Sequence, residues 1–474
     1  MSRLKIKRNL LLVLIISIIL TLLSFNNIYN FNMITIFAII ELAICGWSIF
    51  LCTRSALTVG FIFLCFTFLF NFGQSVITTF FKVDKYAHRN VLSQVRYENY
   101  IYAEIFVIIC IAFYTLGYLL ECNKRYIKSI KTYKTQKRHN ENKKQINTIM
   151  WLLLMITIIP MVYIDALKII SYLSVGYDAT YLVYQHGIGK YLNLIGQFCK
   201  PIICILIYTN CDKKIRVKLI VLCSIIYCGI MMISGDRGSN IIYIITILFV
   251  YYHYVEKLTL KTLIFGILGC YFMLMIISII GLTRSNNSFS IDTIMTAYEW
   301  RKEDGVLYAT LREFGATLLT LCHSMAYIPE YSPYNFGLTY LLSWLTILPK
   351  YPSFFDELFH TSFTFTAAFP TNAQSYEILG GNYLGELYFN FGWLGCIGAF
   401  IIGKIIAKID IVLIKNKSVY LVCICISLLP SLILWVRDFF VVMLFRTVWI
   451  TICILFIAML NQTKSKKDKG FYKK

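Results

Sequence analysis

The stretch MMISGDRGSNIIYIIT, residues 231–246, sets Asp236 and Arg237 side by side between two apolar runs. An arginine fork is the preferred partner of phosphate and carboxylate oxygens. The neighbouring aspartate fits two roles: it either neutralises the arginine within the turn or leaves it on offer to an anion. Glu41, Lys200 and Arg446 also interrupt apolar sequence. An uncompensated charge at such a position costs on the order of 3 kcal/mol on membrane-insertion scales, so these groups are expected to face a protein interior. Glu41 and Lys200 fit either a structural ion pair or the walls of a polar chamber. Arg437 and Asp438 in WVRDFF repeat the Asp/Arg adjacency, although a lone arginine at such an edge also serves as an anchor. Arg284 (GLTRSNN), Arg312, His323 (TLCHSMAY), Glu377 and Glu386 complete the set. Several arginines with a carboxylate or imidazole near them suit one chemistry: an anionic leaving group is stabilised while a hydroxyl gives up its proton. The 16 cysteines lie mostly within apolar runs and show neither zinc-site nor disulfide spacing, so no metal and no cofactor are expected.

The elements that must hold these residues follow from composition. The chain has 474 residues, 58% of them hydrophobic and 15% charged, with a mean hydropathy of +0.68. That is an integral membrane protein. The net charge of +21 does not indicate nucleic acid, because the basic residues form short clusters between apolar runs. Runs of bilayer length lie near residues 9–25, 33–52, 56–72, 100–120, 148–170, 191–209, 219–233, 239–255, 262–281, 383–406, 418–436 and 439–460. The basic start lacks a cleavage site and reads as a retained first span. With twelve helices and both termini cytoplasmic, two thirds of the 45 Lys and Arg fall on the inner side, as the positive-inside rule expects. The expected fold is therefore an all-α polytopic membrane domain spanning 1–474. It has a basic cytoplasmic loop at 121–147, a large extracytoplasmic loop at 282–382 and a basic tail at 461–474.

Within this frame the GDRG turn sits at the outer surface. Its two arms have about 16 residues each, roughly 25 Å of helix against a hydrocarbon core of about 30 Å. Glu41, Lys200 and Arg446 each lie about 12 Å inside the outer end of their spans, which favours an outward-facing chamber. The hundred-residue outer loop exceeds ordinary connections and is expected to be functional. Its pieces ATLLTLCHSMAYI and LTYLLSWLTIL read as interfacial helices. If 305–327 is one helix, Arg312 and His323 lie within about 20° of one face and about 16 Å apart. His323 fits a satisfied interfacial histidine as well as a catalyst.

SGDRGS between two spans, the long penultimate outer loop and GGNYLGELYFNFGWLG leading into the next span resemble the Wzy-type O-antigen and capsular polysaccharide polymerases. The resemblance implies a metal-independent glycosyltransferase in the bacterial cytoplasmic membrane. It would move a growing glycan from its polyprenyl diphosphate to a hydroxyl on a second lipid-linked repeat unit. Carried onto this chain, it implies Arg237, Arg312 and Arg284 on the diphosphate. Arg437, Arg446, Lys200 and Glu377 would line the substrate, and Glu386, His323 or Asp236 would serve in catalysis. A flippase and a chain-length regulator are the protein partners such a pathway implies. His323–Ser324 also matches a pattern of the related O-antigen ligases, though Tyr327 stands where those carry a glycine. A transporter or lipid flippase is the rival class. Against it, the second-to-third-span loop is only TRSALT, no central repeat is present, and a flippase does not require so long an outer loop.

Overall fold

The computed structural model describes residues 3–55, 57–81, 90–126, 136–175, 187–232, 237–262, 305–345, 381–416 and 418–471, with isolated positions between these ranges. Some side chains within them, those of Arg237 and Arg446 included, lie outside the described set. Asp236, Arg284 and Glu377, and most of the expected span 262–281, also lie outside it.

The longer helices are α1 (Arg3–Asn26), α2 (Phe31–Thr53), α3 (Val59–Phe80), α4 (Tyr97–Tyr126), α5 (Gln136–Val175), α6 (Gly187–Gly196), α7 (Cys199–Thr209), α8 (Lys214–Met232) and α9 (Arg237–Tyr254). They continue with α10 (Val306–Gly315), α11 (Leu318–Tyr327), α12 (Leu338–Leu345), α13 (Tyr383–Phe391), α14 (Gly395–Lys415), α15 (Val419–Leu434) and α16 (Phe440–Phe471). Nine helical segments among the described residues are long and apolar enough to cross a membrane. Away from its ends a helix satisfies every backbone polar group locally, which a lipid environment demands. Every element among the described residues is helical, and the protein is a multi-pass membrane protein.

The chain divides into two compact units, each assembled from separate stretches. Unit 1 comprises residues 1–132, 311–415 and 435–445; unit 2 comprises 133–310, 416–434 and 446–474. In unit 1, α14 lies closely along α4. A Cβ on Gly117 would stand 2.1 Å from the Phe400 carbonyl oxygen, and one on Gly403 would stand 2.0 Å from that of Tyr114. Only glycine permits this backbone approach, the usual device of membrane helix pairs. Asp410 of α14 accepts hydrogen bonds from the Val59 and Gly60 N–H groups and the Tyr118 hydroxyl, all at 2.8 Å. These N–H groups open α3 and have no partner within their own helix. Each bond to the buried carboxylate contributes about 1.5–3 kcal/mol.

Two expectations are corrected. The apolar run 383–406 is not one helix: it breaks into α13 and α14. Gly392 has φ +58°, a conformation only glycine adopts cheaply, and a 3-10 turn over Gly392–Leu394 follows. The region 305–327 is likewise two helices, parted at Ala316–Thr317, so the single-face geometry for Arg312 and His323 does not apply.

Candidate functional site

The site in unit 1 is organised by α3. Its sequence FTFLFNFGQSVITTF puts Thr67, Asn71, Gln74, Ser75 and Thr78 at helical spacing, a polar stripe on one face of an apolar helix. Four segments dock on this stripe. Gln74 Nε2 donates to the Arg312 carbonyl at 2.8 Å, while its Oε1 accepts the Val91 N–H at 2.7 Å. Asn382 Nδ2 donates to Asn71 Oδ1 at 2.8 Å and to the Thr317 carbonyl at 3.1 Å. The same Asn382 caps α13 through its Oδ1, which accepts from Leu384 N–H at 2.9 Å. Thr67 and Tyr383 share a hydroxyl bond of 3.1 Å. Phe70 packs on Phe314 at 5.1 Å, and the Arg437 guanidinium lies over the Phe70 ring at 5.7 Å. Backbones meet where α3 crosses α10: a Cβ on Gly315 would stand 2.2 Å from Gln74 N.

Glu386 is buried on α13 and reaches two further segments. Its Oε1 accepts from the Thr339 hydroxyl of α12 at 3.0 Å, and its Oε2 from the Phe440 N–H, the first residue of α16, at 2.8 Å. Asn390, one turn along, donates to Thr339 Oγ1 at 2.7 Å and to the Glu386 carbonyl at 2.8 Å, and accepts from Gly337 N–H at 3.0 Å. The carboxylate thus tethers α12 and the WVRDFF turn to α13, and Arg437 is part of that turn. Gly381 makes the turn's close approach possible, since a Cβ there would stand 2.5 Å from Asp438 Cα.

His323 is half-buried on α11, which packs against α4 and α13. Burial lowers the pKa of its imidazole below the ordinary 6.5. Beneath α11, Ser75 bonds both the Tyr100 hydroxyl and the fully buried Glu104 carboxylate. The structure therefore brings Glu386, Arg437, the Arg312 main chain and the His323-bearing helix together in unit 1.

Lys200 belongs to unit 2, where its ammonium donates to Asn240 Oδ1 at 3.0 Å and stands 5.3 Å from the Tyr243 ring centre. Glu41, in unit 1, accepts from Ser17 at 2.5 Å and from Cys45 at 3.3 Å. Each charge finds its partners inside its own unit. Unit 2 also holds an ion pair of Asp165 and Lys168 at 3.2 Å, with the Tyr227 hydroxyl on the same aspartate. Arg237 is the first residue of α9, and Arg446 lies within α16. Among the described residues no group of three His, Cys, Asp or Glu could hold a metal ion.

Sequence reasoning missed the α3 stripe, although the signal was present in the i, i+4, i+7, i+8 spacing of its polar residues. It also passed over Glu104, Asn382 and Asn390, single polar residues within apolar or glycine-rich sequence. No curated protein and no solved structure matches the chain. The family model for the O-antigen polysaccharide polymerase Wzy matches residues 8–468, nearly the whole chain. On that match, the chain belongs to the Wzy family of O-antigen polysaccharide polymerases.

Proposed function

We propose that the protein polymerises polyprenyl-diphosphate-linked oligosaccharide repeat units at the outer face of the bacterial cytoplasmic membrane, with twelve spans and both termini inside. What supports this reading is the convergence on α3 of Arg437, the Arg312 segment, the His323 helix and the Glu386 helix, in a chain of this family. In the reaction the acceptor hydroxyl oxygen bonds to the donor's anomeric carbon as the bond from that carbon to the diphosphate oxygen breaks. The electron pair leaves with the diphosphate, and the proton passes to a base. A diphosphate leaving group needs charge stabilisation rather than a general acid. Arg437 supplies it in unit 1, with Arg312 and Glu377 along the substrate; within unit 2, Arg237 offers its charge to the same class of anion, with Arg284, Arg446 and Lys200 as further substrate contacts. Holding both lipid-linked substrates together supplies proximity.

His323 takes the role of base. Its lowered pKa leaves the imidazole neutral at pH 7 and able to accept a proton. Glu386 is assigned to positioning rather than to proton transfer, because each of its oxygens already accepts a hydrogen bond from an element it ties to α13. Asp236, beside Arg237, balances the charge of the turn. Polymerisation rates measured on isolated lipid-linked repeats should be flat above pH 6.5 and fall as the pH drops through the lowered His323 pKa. The sign follows because protonation removes the acceptor lone pair. The same acid limb persisting in His323→Gln would assign the base elsewhere.

Deleting the gene in its host and sizing lipid-linked and surface glycans by gel and mass spectrometry tests the function itself. A surface glycan cut to a single repeat unit is the expected result. Full-length chains stranded on lipid would mean a ligase, and single repeats trapped inside the cell would mean a flippase.

A further inference from the structure

The tether around Glu386 leaves donors unused. The Tyr340 hydroxyl, the Trp435 indole N–H and the Asn335 side-chain amide are buried without a hydrogen-bond acceptor. Native interiors rarely tolerate such groups, and three in one neighbourhood call for an explanation. All three belong to the elements gathered on α13. Asn335 donates its backbone N–H to Phe389, and Tyr340 follows Thr339, which holds Glu386. Tyr340 meets the Phe440 ring edge-on at 5.3 Å and stacks on Phe391 at 6.3 Å. Trp435 lies 5.4 Å from Phe440 and 5.8 Å from Tyr383. Its N–H stands beside the Glu386 carboxylate.

We infer that Tyr340, Trp435 and Asn335, with the Glu386 carboxylate, form a subsite for one sugar ring of the lipid-linked glycan; this rests on the polymerase reading above. The chemistry matches a pyranose on each count. Ring hydroxyl oxygens accept from the three donors. A hydroxyl hydrogen can be taken by the lone pairs of Glu386 that Thr339 and Phe440 leave over. The aromatic rings give the apolar C–H face of a sugar a surface to lie on. The ligand is a neutral sugar ring rather than a phosphate, since the side chain that completes the subsite, Glu386, is an acid. Glu386 then holds the elements that form the subsite and touches the sugar as well.

The test uses the full-length protein in nanodiscs and two probes: the repeat-unit oligosaccharide released from the host's own surface glycan, and sugar-free polyprenyl diphosphate. Tyr340→Phe removes one hydroxyl and keeps the ring. Trp435→Phe removes the indole N–H. Each variant is expected to weaken oligosaccharide binding about tenfold, the usual cost of leaving a sugar hydroxyl unmatched, with polyprenyl diphosphate binding unchanged. Oligosaccharide affinity equal to wild type in both variants would overturn the subsite and leave the polymerase reading standing. Loss of both probes together would overturn it too, by making the two side chains structural. Wild-type protein that ignores the oligosaccharide would sink the polymerase reading itself.

Discussion

Glu386→Ala should lower chain growth by about 100-fold, while Glu386→Gln should stay within about tenfold of wild type. The difference follows from what the two oxygens do. Alanine releases Thr339 and leaves the Phe440 N–H without its acceptor, so the WVRDFF turn and α12 lose their common anchor. A displacement of an ångström in a site of this kind costs about 100-fold in rate. The unpaired N–H costs a further 1–3 kcal/mol of stability, roughly. Glutamine retains both contacts: its Oε1 accepts from Phe440, and its Nε2 donates to the Thr339 oxygen. Glycan length on gels, with melting of each variant in detergent, reads both effects. A glutamine variant as inactive as the alanine one would make the carboxylate the base and remove His323 from that role.

Arg437→Ala and Arg237→Ala should each cut polymerisation about 1,000-fold, the scale on which removal of one preorganised donor from a developing negative charge is felt. Arg437→Lys should recover only part of the loss. The guanidinium stacks on Phe70 and presents a planar fork, whereas an ammonium keeps the charge and neither of those features. Initial rates on isolated lipid-linked repeats separate the three variants. Wild-type glycan length in Arg437→Ala would remove that residue from the diphosphate site.

Much of this fold could be read from the sequence, because membrane spans announce themselves as apolar runs whose length the bilayer sets. Breaks within such runs could not. Gly392 sits in sequence as apolar as its surroundings, and only its positive φ reveals that α13 and α14 are separate. The residue types of the site were also legible: Arg312, His323, Glu386 and Arg437 stand out as polar groups at apolar edges. Their convergence was not, because it runs through partners far apart in the chain. Nothing local to Glu386 says that it accepts from an N–H 54 residues later, and nothing local to Asp410 points to Gly60, 350 residues earlier. The α3 stripe lay between these cases, visible as spacing yet hidden inside a run already explained as a span.

The supports of α3 have a consequence for the life of the chain in the cell. Asn71 waits for Asn382, Thr67 for Tyr383, and the first N–H groups of α3 for Asp410. A ribosome adding about 5–20 residues each second needs tens of seconds to deliver them. Throughout that interval α1 to α4 are already made, with the polar stripe open to whatever surrounds it. Unit 1 closes only when the protein is almost finished, so an interrupted chain contains no half-built site. It contains instead a set of helices marked, by their exposed asparagine and glutamine, as incomplete.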